Sequence, residues 1–445
     1  MFSIVISTYN GSKYILNTIE NIRQSLKNFD YEMIIVNDGS IDDTSKRLEI
    51  YKENKRIKIF NQRNKGISAS RNRGIRHISK QSNYVVFIDD SDKVEENFFE
   101  KINEFFTIFH DIDVVATPLI RTVNGANRHH SLNYRFHSGK QIVNILDDYK
   151  YIQFHIGGMA FRSDLLKNPN YRFDEGISFW EDAKFINSIL LDKKTYGLIP
   201  ETAYFYNSDN PHSLSKIAWN LEERYLPLIE KNYMYLIDKS HEIYGKTIKY
   251  IQFLVGTHYS EYLKEHNQDK IIDSPYFDSD KFGLASQKLF TNIDTDIIYD
   301  LKIHHVYIDY LLRLKGKELE TSKFSEQFSV YIHRFNPLKR DITFSFSNET
   351  SKIPLDSNVY LNYYNNKLKQ ATLIEQKQLS ILGEPINDFS KNFYKIKLPL
   401  ISLFIRSKII IIKNDTKYKI DNPSILSRII KNVKKQSIYR RKQIG

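Results

Sequence analysis

Apolar positions in the first 120 residues fall into short continuous runs separated by stretches of helical spacing. Residues 3–7, 32–36, 57–60 and 84–88 are β-branched or aromatic runs of strand length. Between them, residues 14–29 carry Ile15, Ile19, Ile22 and Leu26 at helical intervals. Residues 42–54 predict a helix with an Asp/Thr-rich start, and residues 66–78 a loop leading into another helix. Strand–helix alternation with strands apolar throughout predicts a parallel sheet covered on both faces. In such sheets ligands bind beyond the carboxyl ends of the strands. Thr8-Tyr9-Asn10, Asp38 and the run Asp89-Asp90-Ser91-Asp92 all fall at those ends.

The pattern changes twice further on. Residues 121–215 contain Gly157-Gly158-Met159 and Phe179-Trp180-Glu181-Asp182, and residues 216–324 are aromatic and helical, most clearly at 221–236 and 248–263. From 325 to 424 the texture alternates, as in Phe328-Ser-Val-Tyr-Ile332 and Val359-Tyr-Leu-Asn-Tyr363, which predicts a small β-sandwich. Residues 425–445 combine an apolar stripe (Ile425, Leu426, Ile429, Ile430, Val433) with seven basic side chains, among them Arg428, Arg440 and Arg441, and no acid. That tail fits a basic amphipathic helix on an anionic membrane, and equally a terminal helix docked on its own domain.

Composition narrows the chemistry. A chain of 445 residues predicts two or three domains, and 41% hydrophobic residues suffice for their cores. With no cysteine, disulfides, thiolate catalysis and Cys-ligated zinc are excluded. A net charge of +12 suits an anionic partner. The chain runs directly into a strand pattern, and its apolar runs are too short for a bilayer. A cytoplasmic protein, peripheral on the inner face of the membrane if the tail binds there, is therefore expected.

Three carboxylates within four residues at a strand end repel one another unless a cation or solvent relieves them. A divalent metal clamping a diphosphate is one reading; an acidic surface turn is the other. Asp38 alone fits a turn, Arg71 alone a solvated helix start, and Glu181-Asp182 alone a favourable helical first turn.

Taken together and in order, Ser3-Ile-Val-Ile-Ser-Thr-Tyr-Asn10, Val36-Asn-Asp-Gly-Ser40, Asn64-Lys-Gly-Ile-Ser-Ala-Ser-Arg-Asn-Arg-Gly74 and Phe87-Ile-Asp-Asp-Ser-Asp92 resemble family-2 inverting glycosyltransferases. The resemblance covers about the first 120 residues and continues more weakly to 215. It implies a GT-A fold, an α/β Rossmann-like domain at 1–215 with a nucleotide half (1–120) and an acceptor half (121–215). Thr8, Tyr9 and Asn10 would line the nucleoside pocket, Asp38 would accept from uracil N–H, and Arg71 and Asn72 would contact the nucleotide. Asp90 and Asp92 would bind Mn²⁺ or Mg²⁺, with Asp89 on the ribose. The family's usual third carboxylate is Ser91 here, so a second register, Asp89 with Asp92, stays open. Asp182 would be the general base and Glu181 would orient the acceptor. Gly158 would allow close backbone approach, and His212, Ser213 and Ser215 would close over the diphosphate.

The Gln-X-X-Arg-Trp motif of processive synthases is not present. The order of catalytic domain, helical segment and β-domain resembles bacterial wall teichoic acid glycosyltransferases. That implies a UDP-sugar donor, a polymeric or lipid-linked glycan acceptor of polyanionic character, and homo-oligomerisation. Capsule or adhesin glycosylation, an inactive polyanion-binding protein and a nucleotidyltransferase are the rival readings. No nucleic-acid motif is present.

Overall fold

The computed structural model describes residues 1–209, 217–320, 328–336, 338–346, 357–376, 379–386, 392–403, 407–413, 416–418 and 420–421. The basic tail at 425–445 and the loop residues His212, Ser213 and Ser215 lie outside the described residues. The chain divides into two compact units, Met1–His258 with Ser274–Ile297, and Tyr259–Asp273 with the described residues from Ile298 onward. The helical stretch at 216–324 is thus shared between them.

In the first unit, β1 (Phe2–Thr8), α1 (Ile15–Ser25), β2 (Tyr31–Asn37), α2 (Thr44–Leu48), β3 (Ile57–Asn61), α3 (Ile67–Arg76) and β4 (Tyr84–Asp89) follow the expected alternation. Every residue of β1 and β2 is buried, as continuous apolar runs require. The four strands are parallel, and their register aligns Thr8 with Asn37 and Ser7 with Asp89. Three strand ends carrying polar groups therefore stop at one level. The helix expected at 42–54 is shorter, with α2 giving way to a 3₁₀ turn at Glu49–Tyr51.

β5 (Lys93–Val94), α4 (Phe98–Ile108), β6 (Val114–Ala116), β7 (Leu119–Val123), β8 (Ala126–His129), β9 (Ile142–Asn144), β10 (Met159–Arg162), α5 (Ser163–Lys167), α6 (Glu181–Lys193), β11 (Thr195–Leu198) and β12 (Tyr204–Asn207) continue the first unit. The main sheet runs β3-β2-β1-β4-β10-β6-β11-β9, and β5-β12-β7-β8 form a smaller sheet. The sheet is mixed, since β10 lies antiparallel to both β4 and β6. A parallel return needs a crossover, usually helical. The described chain between β6 and β10 has only strands and a 3₁₀ turn.

α3 rests directly on β1 through Gly74. A Cβ there would lie 2.3 Å from Val5 Cγ1. Gly74→Ala is expected to cost about 1–3 kcal/mol by overpacking, read as a lower urea midpoint.

The helix expected at 221–236 is broken. A 3₁₀ turn (Glu222–Arg224) precedes Pro227, and a π-turn (Leu228–Tyr233) leads into α7 (Met234–Tyr244). Proline lacks an amide donor and disfavours helix in the residue before it, so the helix restarts after it. α8 (Lys249–Tyr259) follows. In the second unit, a five-stranded and a four-stranded sheet share one core, with Val330, Ile342 and Phe344 from the first and Val359, Leu361 and Ile409 from the second. That is the expected sandwich. No helix among the described residues is long and apolar enough to cross a membrane.

Candidate active site

The loops after β1 and β2 are tied together before any ligand is considered. Asn10 sits at φ 55°, a region asparagine tolerates, and its Oδ1 accepts from Ile41 N at 2.9 Å. Its own amide donates to Ser40 Oγ. Asp38 is buried and accepts from Lys65 N (2.9 Å), Gly66 N (2.8 Å) and Gln62 Nε2 (2.7 Å). Its carboxylate thus fixes the loop that leads into α3. Tyr9, next to Asn10, is 49% exposed.

The carboxylates at the end of β4 point to three different partners. Asp90 Oδ2 accepts from Thr8 Oγ1 at 2.6 Å. Asp89 is the most open and pairs with Arg71 Nη2 at 3.1 Å. Asp92 is buried and turned inward, with Oδ2 accepting from Tyr204 OH (2.7 Å) and Oδ1 from Asn207 N (2.9 Å). Tyr204 OH also accepts from Asp89 N at 3.3 Å. Burial, and next the charge of Asp89, push the Asp92 carboxyl up; burial pushes Asp90 up to about 7.

The expected metal pair, Asp90 and Asp92, is therefore split. Asp89 and Asp90 are the carboxylates that reach solvent. No group of three or more His, Asp or Glu among the described residues is arranged to hold a metal. Two carboxylates still fit a hard cation that takes its remaining ligands from substrate phosphates and water.

Arg71 joins this motif to the acid pair of α6. Its buried guanidinium donates from Nη2 to Asp89, and from Nη1 to Glu181 Oε1 (3.1 Å) and Asp182 Oδ1 (2.5 Å). Asp182 Oδ2 accepts from Ile156 N at 3.2 Å, so both oxygens are oriented. Burial pushes the Glu181 carboxyl up, with Asp182 adding to the shift and Arg71 opposing it. Glu181 is buried, whereas Asp182 keeps partial access to solvent. Differing environments of this kind separate the roles of neighbouring acids.

α6 begins after a strained residue. Trp180 has φ 67° and ψ 19°, costly for a bulky side chain. Its ring stacks on His258 of α8 (5.1 Å) and meets Tyr233 edge-on (5.0 Å). Tyr233 OH in turn bonds His258 Nδ1 at 2.5 Å.

Other expected residues have internal partners. Asn72 is buried, donates to Phe173 O and Glu175 Oε1, and accepts from Phe173 N, which ties α3 to the 173–175 loop. Gly158 is buried at φ 75°, and a Cβ would lie 2.9 Å from Thr117 Oγ1 and 3.1 Å from Tyr204 Cβ. Its glycine serves close packing behind Tyr204. Tyr204, Asn207 and Ile156 were not singled out by the sequence; a tyrosine in the aromatic run Tyr204-Phe-Tyr206 reads only as a strand.

Strand-end loops, an acidic turn after β4 and an arginine-bridged acid pair thus meet at one end of the sheet. Residues 3–168 match Glycosyl transferase family 2, and the chain belongs to that family. Over 416 residues it is 30% identical to the minor teichoic acid biosynthesis protein GgaA of Bacillus subtilis (strain 168), a match covering 90% of this chain and 92% of GgaA. It is 23% identical over 206 residues to the poly(ribitol-phosphate) beta-N-acetylglucosaminyltransferase TarS of Staphylococcus aureus (strain MW2), covering 46% of this chain and 35% of TarS. Crystal structures of S. aureus TarS 1-349, alone and in complex with UDP-GlcNAc, share the fold at TM-score 0.52, with 15% and 17% identity; each match covers 71% of this chain and 87% of that one.

Proposed function

We propose that the chain transfers a hexosyl or N-acetylhexosaminyl group, with inversion, from a UDP-sugar to a hydroxyl of a teichoic acid or related bacterial surface polymer. A nucleotide-sugar donor would put the reaction on the cytoplasmic side of the membrane. The observation that carries this reading is the Arg71 fork, which sets the α6 acid pair beside the β4 carboxylate. The relationship to GgaA and TarS supports the acceptor class, and the UDP-GlcNAc complex of TarS supports the donor class.

In this mechanism Asp182 takes the proton from the acceptor hydroxyl as its oxygen attacks the anomeric carbon. Arg71 and the Ile156 amide fix the two oxygens of that base. Glu181, whose carboxyl burial pushes up, orients the acceptor. Asp89 and Asp90 would hold Mn²⁺ or Mg²⁺, which when bound offsets the charge of the leaving diphosphate. Direct in-line displacement requires no covalent enzyme intermediate.

The test is UDP release across a panel of UDP-sugars with Mn²⁺ and a teichoic acid acceptor. Turnover with one donor is expected, and it should disappear on chelation and in Asp89→Ala/Asp90→Ala. Donor binding without UDP release by the wild-type protein, acceptor present, would sink the transferase reading.

A further inference from the structure

The small sheet lines up one row of side chains on a single face. Tyr206 of β12 is in register with Arg121 of β7, and Arg121 with Arg128 of β8. Two arginines directly opposite on neighbouring strands repel each other. Both are exposed, and neither has an acidic partner among the described residues. The hydrogen bond of Arg121 runs from Nε to Ser208 Oγ at 2.8 Å. Asp209, the acid beyond β12, accepts instead from Asn124 N in the β7–β8 turn.

At its other end the row reaches the acid pair. The Tyr206 ring lies 5.4 Å from His155 and 5.9 Å from His130, and the two imidazoles are 6.3 Å apart. His155 Nδ1 is buried with no hydrogen-bond partner. The next amide along, Ile156 N, is the one that fixes Asp182 Oδ2. Tyr204, two residues before Tyr206 and hence on the same face, places its ring 6.5 Å from His155. Burial first, and then His155, Arg135 and Arg121, hold His130 down to about 4.

The row therefore runs from two arginines with no acidic partner among the described residues to a group of rings beside Ile156, whose amide orients Asp182. Rings suit the faces of a polyol or sugar, and arginine forks suit phosphate oxygens. We propose that Arg121, Arg128, His155 and Tyr206 form an acceptor subsite for the phosphodiester adjoining the hydroxyl that Asp182 deprotonates. This inference rests on the polymer-acceptor reading above. It commits the chain to a polyol phosphate polymer over a neutral glycan. The donor diphosphate is the other phosphate that such a row could serve.

The experiment is steady-state UDP release by the full chain, varying poly(ribitol phosphate) at saturating donor and then donor at saturating polymer. Arg121→Ala/Arg128→Ala, both exposed positions, is compared with His155→Gln and with the conservative Arg121→Lys. The double variant should raise the polymer KM roughly tenfold, the worth of a charge-assisted hydrogen bond or two, with donor KM and kcat unchanged. Arg121→Lys should lie between it and wild type, and His155→Gln should raise the polymer KM alone. A rise in donor KM instead would give the row to the diphosphate and overturn the proposal, as would unchanged constants. Wild-type protein that transfers nothing to the polymer with any donor would defeat the functional reading itself, before any variant is compared.

Discussion

Asp182→Asn should lower kcat by about 10²–10⁴-fold, the usual contribution of a positioned base, while UDP binding measured by calorimetry stays at the wild-type level. The amide has nearly the same shape as the carboxylate but cannot accept the acceptor's proton. Arg71 keeps Asp89 and Glu181 as partners, so the fold around the site is preserved. The two readouts separate roles. Loss of UDP affinity in step with turnover would mean that Asp182 serves the donor, and the base would have to be sought elsewhere.

Arg71→Ala should be the most destabilising single change near the site. The residue is 3% exposed, and its guanidinium is shared by Asp89, Glu181 and Asp182. Removing one partner of a buried ion pair typically costs about 3–5 kcal/mol, because the remaining charge is stranded. Here a group of acids loses its common cation, so a loss in that range is expected from urea unfolding at neutral pH. The loss should shrink as pH falls, since protonation removes the stranded charge. Arg71→Lys should not restore activity, because an ammonium cannot present the planar fork that reaches both elements. Stability within 1 kcal/mol of wild type in the alanine variant would show that the cluster is not held through Arg71.

The nucleotide half was legible because its signals are local. Runs such as Ser3-Ile-Val-Ile-Ser7, the helical spacing of Ile15, Ile19 and Ile22, and the polar residues at strand ends each lie within a few positions. Asp182 and Arg71 were singled out by motif, but their contact, 111 residues apart, left no local trace. The inward turn of Asp92 depends on Tyr204, 112 residues away, and periodicity cannot bring those two together. Asn72 shows the reverse case. Its place in a motif pointed to a ligand, whereas the fold engages its whole amide with Phe173 and Glu175. The break at Pro227 was written in the sequence, yet the apolar spacing from 221 to 236 outweighed it.

The left-handed Trp180 has a consequence for how much chain the chemistry requires. An aromatic residue stays in that conformation only where its surroundings leave no alternative, and here those surroundings are Tyr233 and His258. The recognisable motifs end well before either. A fragment cut where the motifs stop would release the indole and let the first turn of α6 relax, carrying Asp182, the proposed base, with it. If Asp182 is the base proposed above, the smallest active fragment of this chain should extend at least through His258, with Tyr233 and His258 buttressing the start of α6.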